Sequence, residues 1–118
     1  MDIPDWIREW IAKDRLVYNK YRISLEYLRH PKRIQFVKGV KDKETGEWIS
    51  FVYIVKSKKY GKYRVKYYRG KYECNCPFFK HRQICSHILA VCQKTGIWPK
   101  KETIFHSKNK KFKEENQN

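Results

Sequence analysis

Acidic residues are scarce in this sequence, which has 12 Asp and Glu against 28 Lys and Arg and a formal net charge of +16. Lysine-rich surfaces of thermophile proteins are normally balanced by Glu, and that balance is missing here. With a pI near 9.8 and 16% aromatic residues, the composition is typical of nucleic-acid-binding proteins. The bias toward Lys, Ile and Tyr also favours a heat-loving archaeon or one of its viruses as the source.

Long apolar runs are missing too, because no stretch approaches the roughly 20 residues that a transmembrane helix needs. Residues 1–10 are acidic and amphipathic, without the basic start and apolar centre of an export signal. No internal repeat is visible. These absences favour an intracellular protein, in the cytoplasm or with the chromosome, over a membrane or secreted one. A length of 118 residues fits one domain.

Potential metal ligands are concentrated in one short stretch. Cys74, Cys76, Cys85 and His87 lie within 14 residues and follow the pattern Cys-x-Cys, eight residues, Cys-x-His. Three thiolates and one imidazole complete the tetrahedral shell of a structural zinc ion and leave no coordination position for a substrate. The sequence therefore predicts one structural Zn²⁺.

The ligand spacing also constrains the backbone. We expect a bend at Asn75, and Pro77, which cannot donate a ladder hydrogen bond, is expected to end the strand there. Residues two apart on a helix lie roughly 200° apart around its axis. We therefore expect Cys85 before a helix and His87 in its first turn, with Ser86 as a candidate N-cap.

Together these residues resemble the SWIM-type zinc finger, whose signature is Cys-x-Cys, a variable spacer and Cys-x-His. Pro77 and Phe78 after the second Cys, the apolar helix of residues 88–92, and residues 63–65 with Gly70 before the first Cys are also similar to the family. The resemblance covers about residues 22–97 and implies a ββα finger that binds DNA or partner proteins. Relatives are often attached to helicase-like or transposase-like enzymes, so a targeting module of such an enzyme is one alternative.

Other interpretations of the Cys and His residues remain open. Four cysteines can form two disulfides in a secreted scaffold, but that requires an export signal. Cys92, five residues after His87, is interpreted as a small buried hydrophobe, with a role as substitute ligand as the alternative. His81 in the spacer is interpreted as a solvated or nucleic-acid-facing residue that could compete as a ligand.

Apolar periodicity predicts the rest of the fold. Residues 3–28 keep roughly helical spacing, which predicts one or two helices before Pro31, with a break near Asn19 or Ser24. Trp6 and Trp10, four residues apart, are expected to cover one side of the sheet. Beyond Pro31 the pattern changes to β-like runs and polar turns. The expected strands are residues 34–40, 48–56 and 63–69, followed by the ligand hairpin, with turns at 41–47 and 57–62.

The predicted class is α+β, with an N-terminal helix or helix pair, a small antiparallel sheet and a zinc-clipped ββα finger. We expect a single domain over residues 1–99, in which 1–30 are helical and 72–97 form the finger. Residues 100–118 are expected to be a flexible basic tail.

The strongest charge pattern covers residues 56–71, with eight Lys or Arg and no acid, interleaved with tyrosines. Basic groups contact phosphates and aromatic rings stack on bases. Strand alternation places Tyr63, Val65 and Tyr67 on one face and Arg64, Lys66 and Tyr68 on the other. We expect the second face to contact nucleic acid; the alternative is that the tyrosines are half-buried and the lysines a solvated face. The residues we expect to contact nucleic acid are Lys58, Lys59, Lys62, Arg64, Lys66, Tyr68, Arg69, Lys80 and Arg82.

The function that these patterns predict is binding of nucleic acid, DNA before RNA, with no small-molecule substrate. The alternative is an adaptor for a recombination, transposition or replication enzyme, with Trp6, Trp10 and the finger's aromatic residues as the protein-binding surface. We do not expect catalysis, because Asp42, Glu44 and Glu47 fall in a predicted loop rather than on the rigid frame that a metal-dependent nuclease needs.

Overall fold

The computed structural model describes residues 3–105. The helices are α1 (Asp5–Lys13), α2 (Arg15–Leu28), α3 (Phe79–Arg82) and α4 (Ser86–Thr95), with 3₁₀ turns at Pro31–Arg33 and Lys101–Thr103. The strands are β1 (Ile34–Lys41), β2 (Trp48–Ser57), β3 (Gly61–Tyr68) and β4 (Lys71–Cys74). Helices with one small antiparallel sheet make an α+β protein, which confirms the predicted class.

The N-terminal region forms a helix pair that breaks at Asp14. The backbone of Asp14 is extended, and its carboxylate accepts the N–H groups of Leu16 and Val17, so it caps α2. The break was expected further along the chain. Ser24 instead lies inside α2, fully buried, where its hydroxyl donates to the carbonyl of Tyr21 and accepts from Gln93 of α4.

The sheet is a four-stranded meander in the order β1-β2-β3-β4, with every neighbouring pair antiparallel. The three expected strands and both turns are confirmed. In the β1–β2 loop, Asp42 accepts the N–H groups of Glu44 and Thr45, and Gly46 has a positive φ of 77°, a conformation that glycine adopts without a steric penalty. The meander needs only short connections, so sequence neighbours pair directly.

One face of the sheet is covered by helices. The inner face carries buried Phe51, Val55 and Val65, and α4 packs there against β3 and β4 while α2 packs against α4. Residues 86–92 are all buried, which makes α4 the central helix of the core. The opposite face of β3 has no covering layer, and its residues Arg64, Lys66 and Tyr68 are exposed.

The packed structure continues beyond the expected boundary at residue 99. Ile104 is buried, and the Phe105 ring lies 4.8 Å from that of Trp10 and 6.1 Å from that of Trp6. The two indoles also stack on each other, with centroids 6.2 Å apart. Both indoles therefore pack against the hydrophobic core, on a helix whose main neighbour is α2 and not the sheet, and they also contact the C-terminal residues. Residues 106–118 of the predicted tail lie outside the described residues.

Within residues 3–105, no helix has both the length and the apolar character needed to cross a membrane.

Candidate metal centre and basic surfaces

Cys74 and Cys76 are brought together by the end of β4. Side chains two residues apart on a straight strand project from the same face but roughly 6.6 Å apart, too far for two sulfurs of one metal site. The strand ends at Cys74, and the Asn75 side-chain oxygen accepts the N–H of Arg64 at 2.9 Å. This side chain replaces a backbone acceptor, so the chain leaves the sheet at the predicted position.

Cys85 and His87 are held by the start of α4. Cys85 is the N-cap, and its Sγ accepts the N–H of Ile88 at 3.5 Å. Ser86 is the first helical residue, so its suggested role as N-cap was wrong: the sulfur takes the place of the usual hydroxyl or carboxylate. His87 lies in the first turn, as predicted. The positive end of the helix dipole lies beside this anionic sulfur cluster.

The four ligand atoms fit a tetrahedral metal ion. They all lie within 4.8 Å of one another, and all four residues are buried. Nδ1 of His87 lies 3.7 Å from Sγ of Cys74 and 3.7 Å from Sγ of Cys85. A tetrahedral zinc site separates sulfur and nitrogen by roughly 3.5 Å. This donor set and spacing hold one structural zinc ion, with Nδ1 as the histidine donor.

The chemistry of the thiols leads to the same conclusion. Burial raises the pKa of the Cys85 thiol well above its ordinary value, and hydrogen bonding to Cys76 raises the pKa of Cys74 to about 12. Without a cation, three thiolates cannot be ionised together in so small a buried volume. Zinc supplies the positive charge that makes the ionised set stable.

Two aromatic residues fix the ring of His87. Tyr63 of β3 stacks on it with a centroid distance of 4.3 Å, and Tyr27 of α2 lies 5.5 Å away. Such supporting residues orient a metal ligand and reduce its freedom to leave the site. They are 36 residues apart in the chain, and no sequence pattern pairs either of them with His87.

The positions of the Cys and His side chains also decide between a disulfide framework and a metal site, and between ligand and non-ligand roles for Cys92 and His81. All four cysteines are free, so no disulfide framework is present among them. Cys92 is fully buried on α4 and is not a member of the ligand group. His81 is exposed on α3 and is likewise outside that group. Both residues therefore occupy the positions that the sequence favoured.

The predicted face alternation of β3 is confirmed. Val65 is buried and Tyr63 and Tyr67 are half-buried on the inner face, whereas the basic set lies on the outer face. Of the further residues predicted to contact nucleic acid, Lys58 and Lys59 lie on the β2–β3 turn, Lys62 is the second residue of β3, Arg69 follows that strand, and Lys80 lies on α3; all are exposed.

Arg82, which was also predicted to contact nucleic acid, forms an ion pair within the protein. Its Nε lies 2.7 Å from Oδ2 of Asp14, and the two side chains are only 30% and 21% exposed. This ion pair joins the finger's spacer to the helix pair. The short helix α3, which contains Arg82, was not predicted because the spacer has no apolar periodicity long enough to signal four helical residues.

The SWIM zinc-finger family model matches residues 63–96, from Tyr63 within β3 to the C-cap of α4. No significant match exists among the curated proteins or the solved structures that were compared. The matched segment contains most of β3, all of β4, all four ligands and helix α4. The chain therefore carries a SWIM-type zinc finger, formed by residues 63–96.

Proposed function

We propose that this zinc-binding domain binds nucleic acid through the outer face of its sheet, with double-stranded DNA as the main ligand. The observation that carries the proposal is a set of cations on β2, β3 and β4 that faces solvent instead of a helix layer. Cross-strand register places them on one face, since Lys56 lies opposite Lys62 and Lys66 opposite Glu73. The basic residues of this face are Lys56, Lys62, Arg64, Lys66 and Lys71.

Glu73 lies opposite Lys66, but the other cations of this outer face have no acid directly opposite them in the described strand pairs. Like charges directly opposite each other, such as Lys56 and Lys62, destabilise a strand pair. The two ion pairs found among residues 3–105 join Arg29 to Glu26 and Arg82 to Asp14, and neither involves the outer face. An anionic partner would relieve this repulsion, and a row of phosphates supplies such charge at regular intervals.

The end of β3 adds an aromatic group to the same surface. Tyr68 is 58% exposed, and Nε of Arg69 donates to its hydroxyl at 3.0 Å. The guanidinium carbon of Arg69 lies 5.4 Å from the ring centroid. This pair offers a ring for stacking and a cation for phosphate, the combination used by non-specific nucleic-acid surfaces.

Zinc has a structural role in this proposal. The metal fixes Cys74 at the end of β4 and Cys85 at the start of α4, and β4 is the strand that supports β3. Binding would then be electrostatic, with Lys and Arg displacing counterions from phosphates. We propose no catalysis, because the carboxylate of Asp42 is engaged by loop N–H groups, which lower its pKa.

The test is a titration of the zinc-loaded protein with a fluorescent DNA duplex at several salt concentrations. The variant Lys62→Gln/Arg64→Gln/Lys66→Gln should bind more weakly, and its slope of log affinity against log salt should be shallower by about 2.7, because three phosphate contacts are lost. The matched control Lys13→Gln/Lys43→Gln/Lys94→Gln removes the same charge from exposed positions elsewhere. Equal binding by both variants would contradict the assigned surface, and absence of binding at low salt would contradict the function.

A protein partner is the second candidate function, and β1 is the observation that favours it. This strand is at the edge of the sheet, and Phe36, Val37 and Val40 are each at least half exposed. Edge strands can accept a partner strand through backbone hydrogen bonds. Such binding would resist added salt, which distinguishes it from phosphate contact. Trp6 and Trp10, the partner-binding residues of the alternative function, are engaged with Phe105.

A further inference from the structure

A cavity of about 560 Å³ lies beside the metal site, on the helix side of the sheet. Its walls come from α2, the β2–β3 turn, and the finger's Pro77, Phe78 and Ser86. The volume is in the range of cavities that bind small organic ligands. None of the outer-face cations of β3 lines it, so this is a second surface, separate from the one proposed above for duplex DNA.

The inner wall of the cavity is aromatic. It includes Tyr27, Tyr63 and His87, the three rings that pack together at the metal ligand. Phe78 of the spacer and Tyr60 of the β2–β3 turn also line it. Flat rings along a cavity favour a flat, apolar ligand group that can lie against them.

The mouth of the cavity is basic. Lys20, Arg33, Lys58 and Lys59 line it, against the single acid Glu26. The Nζ of Lys20 lies 4.6 Å from the Phe78 ring centroid, so a cation is already positioned over an aromatic face. This charge balance selects an anionic ligand over a neutral or cationic one.

Tyr60 is the most exposed large hydrophobic residue of the described chain, at 74%. The turn that carries it is ordered, because the Ser57 hydroxyl oxygen accepts the N–H groups of Lys59 and Tyr60 at 3.3 and 3.1 Å. The Tyr60 ring lines the cavity together with Lys58 and Lys59, so it is available to a ligand that enters there.

We propose that this cavity binds an unpaired nucleotide within a single-stranded segment of nucleic acid. The base stacks on the aromatic wall, with Tyr60 closing over it, and the flanking phosphates contact Lys58, Lys59 and Lys20. A nucleotide combines the two properties that the cavity selects, a flat aromatic group and a negative charge. The inference rests on the proposed nucleic-acid binding and adds the strand state that the domain recognises.

The metal site and the cavity share a wall, since Cys76, Cys85 and His87 line both. Loss of zinc would release His87 from its fixed position and thus displace the ring on which Tyr63 stacks. Single-strand binding should therefore depend on zinc through the shape of the cavity.

The experiment measures anisotropy of labelled oligothymidylate and oligouridylate of equal length with the zinc-loaded protein. Tyr60→Ala should weaken binding roughly 5- to 150-fold, the range for loss of one stacked base, whereas Tyr60→Phe, which keeps the ring, should bind like the wild type. Tyr18→Ala, at an exposed position of α2 outside the cavity, is the matched control and should have no effect. Because Tyr60 is exposed, its substitution leaves the core intact, and zinc content verifies this for each variant.

Ring-dependent binding of either oligonucleotide supports the proposal, and the ratio of the two affinities identifies the preferred sugar. Equal single-strand affinity for wild type and Tyr60→Ala would overturn the cavity as the binding site, while duplex binding measured in parallel would still report on the outer face. Failure to bind both duplex and single strands at low salt would overturn the proposed function together with this inference.

Discussion

Nε of Arg82 donates a hydrogen bond of 2.7 Å to Oδ2 of Asp14, 68 residues earlier in the chain. The other oxygen of the same carboxylate accepts the N–H groups of Leu16 and Val17. One acidic side chain therefore begins α2 and also attaches the finger's spacer to the helix pair. The finger is thus connected to the N-terminal region by a polar contact as well as by the shared core.

Substitution of Asp14 separates these two roles. Asp14→Asn keeps an N-cap of equal quality but loses the ion pair, and we expect a loss of roughly 0.2–1 kcal/mol of unfolding free energy. Asp14→Ala loses both and should cost about 1 kcal/mol more. Denaturant unfolding of the zinc-loaded proteins measures the difference. Arg82→Gln should match Asp14→Asn; if it has no effect, the ion pair does not stabilise the fold.

The pH dependence of the Asp14–Arg82 contact follows from the direction in which the pKa of Asp14 is shifted. The hydrogen bond from Arg82 holds the pKa of Asp14 below its ordinary value. The contact therefore contributes fully to the unfolding free energy above a pH of about 4, and this contribution is lost only as the pH falls further. Metal ligands bind protons in competition with zinc, so zinc should leave in acid before Asp14 titrates. We expect a constant stability difference between wild type and Asp14→Asn from pH 8 down to zinc release. A difference that shrinks in neutral solution would contradict this order.

Removal of zinc should unfold the finger. Structural zinc contributes on the order of 10–16 kcal/mol of apparent binding energy, which is comparable to or larger than the roughly 5–15 kcal/mol that stabilises a whole domain. Native mass spectrometry should find one zinc per chain, and Cys85→Ser should lose it together with near-UV circular dichroism. Retention of the near-UV circular dichroism after complete chelation would show that the core folds without the metal.

Cys92 should behave as a core residue. Burial raises its thiol pKa well above the ordinary value, so the thiol stays protonated and unreactive. Cys92→Ala should keep one zinc per chain, lower the unfolding free energy by about 1 kcal/mol, and reduce the thiol count of the denatured protein by one. A fall in zinc stoichiometry would instead identify Cys92 as a ligand.

Gly39 of β1 is a position where a methyl group does not fit. A Cβ there would lie 2.5 Å from Cζ3 of Trp48 and 2.9 Å from the backbone oxygen of Ser50. Gly39→Ala should therefore destabilise the protein by about 1–3 kcal/mol, the usual range for overpacking. Val37→Ala, on the same strand and half exposed, is the control and should change stability by less than about 0.5 kcal/mol. Thermal unfolding compares the two.

The sequence predicted those features whose causes are local. Ligand spacing identified Cys74, Cys76, Cys85 and His87, because a tetrahedral ion imposes its geometry on nearby residues. Alternation along β3 assigned its two faces, since the side-chain period of a strand is fixed.

Features that depend on distant contacts were not predictable in this way. The break at Asp14 was missed because apolar periodicity continues across it, and only the cap shows where α2 begins. The position of Trp6 and Trp10 depends on Phe105, which lies about a hundred residues away and had been assigned to the tail. The cavity beside the metal was missed for the same reason, because Lys20 and Lys58 come from elements that meet only in the folded chain.

The aromatic cluster of Trp6, Trp10 and Phe105 makes the two ends of the described chain depend on each other. The Lys100 N–H also donates to the carbonyl of Gly70 in the β3–β4 turn, 2.9 Å away, so residues 100–105 contact both the hairpin and α1. A fragment cut after Pro99 would expose both indoles and leave this carbonyl without its donor. Such a fragment would self-associate more readily, so an expression boundary for this finger belongs beyond Phe105.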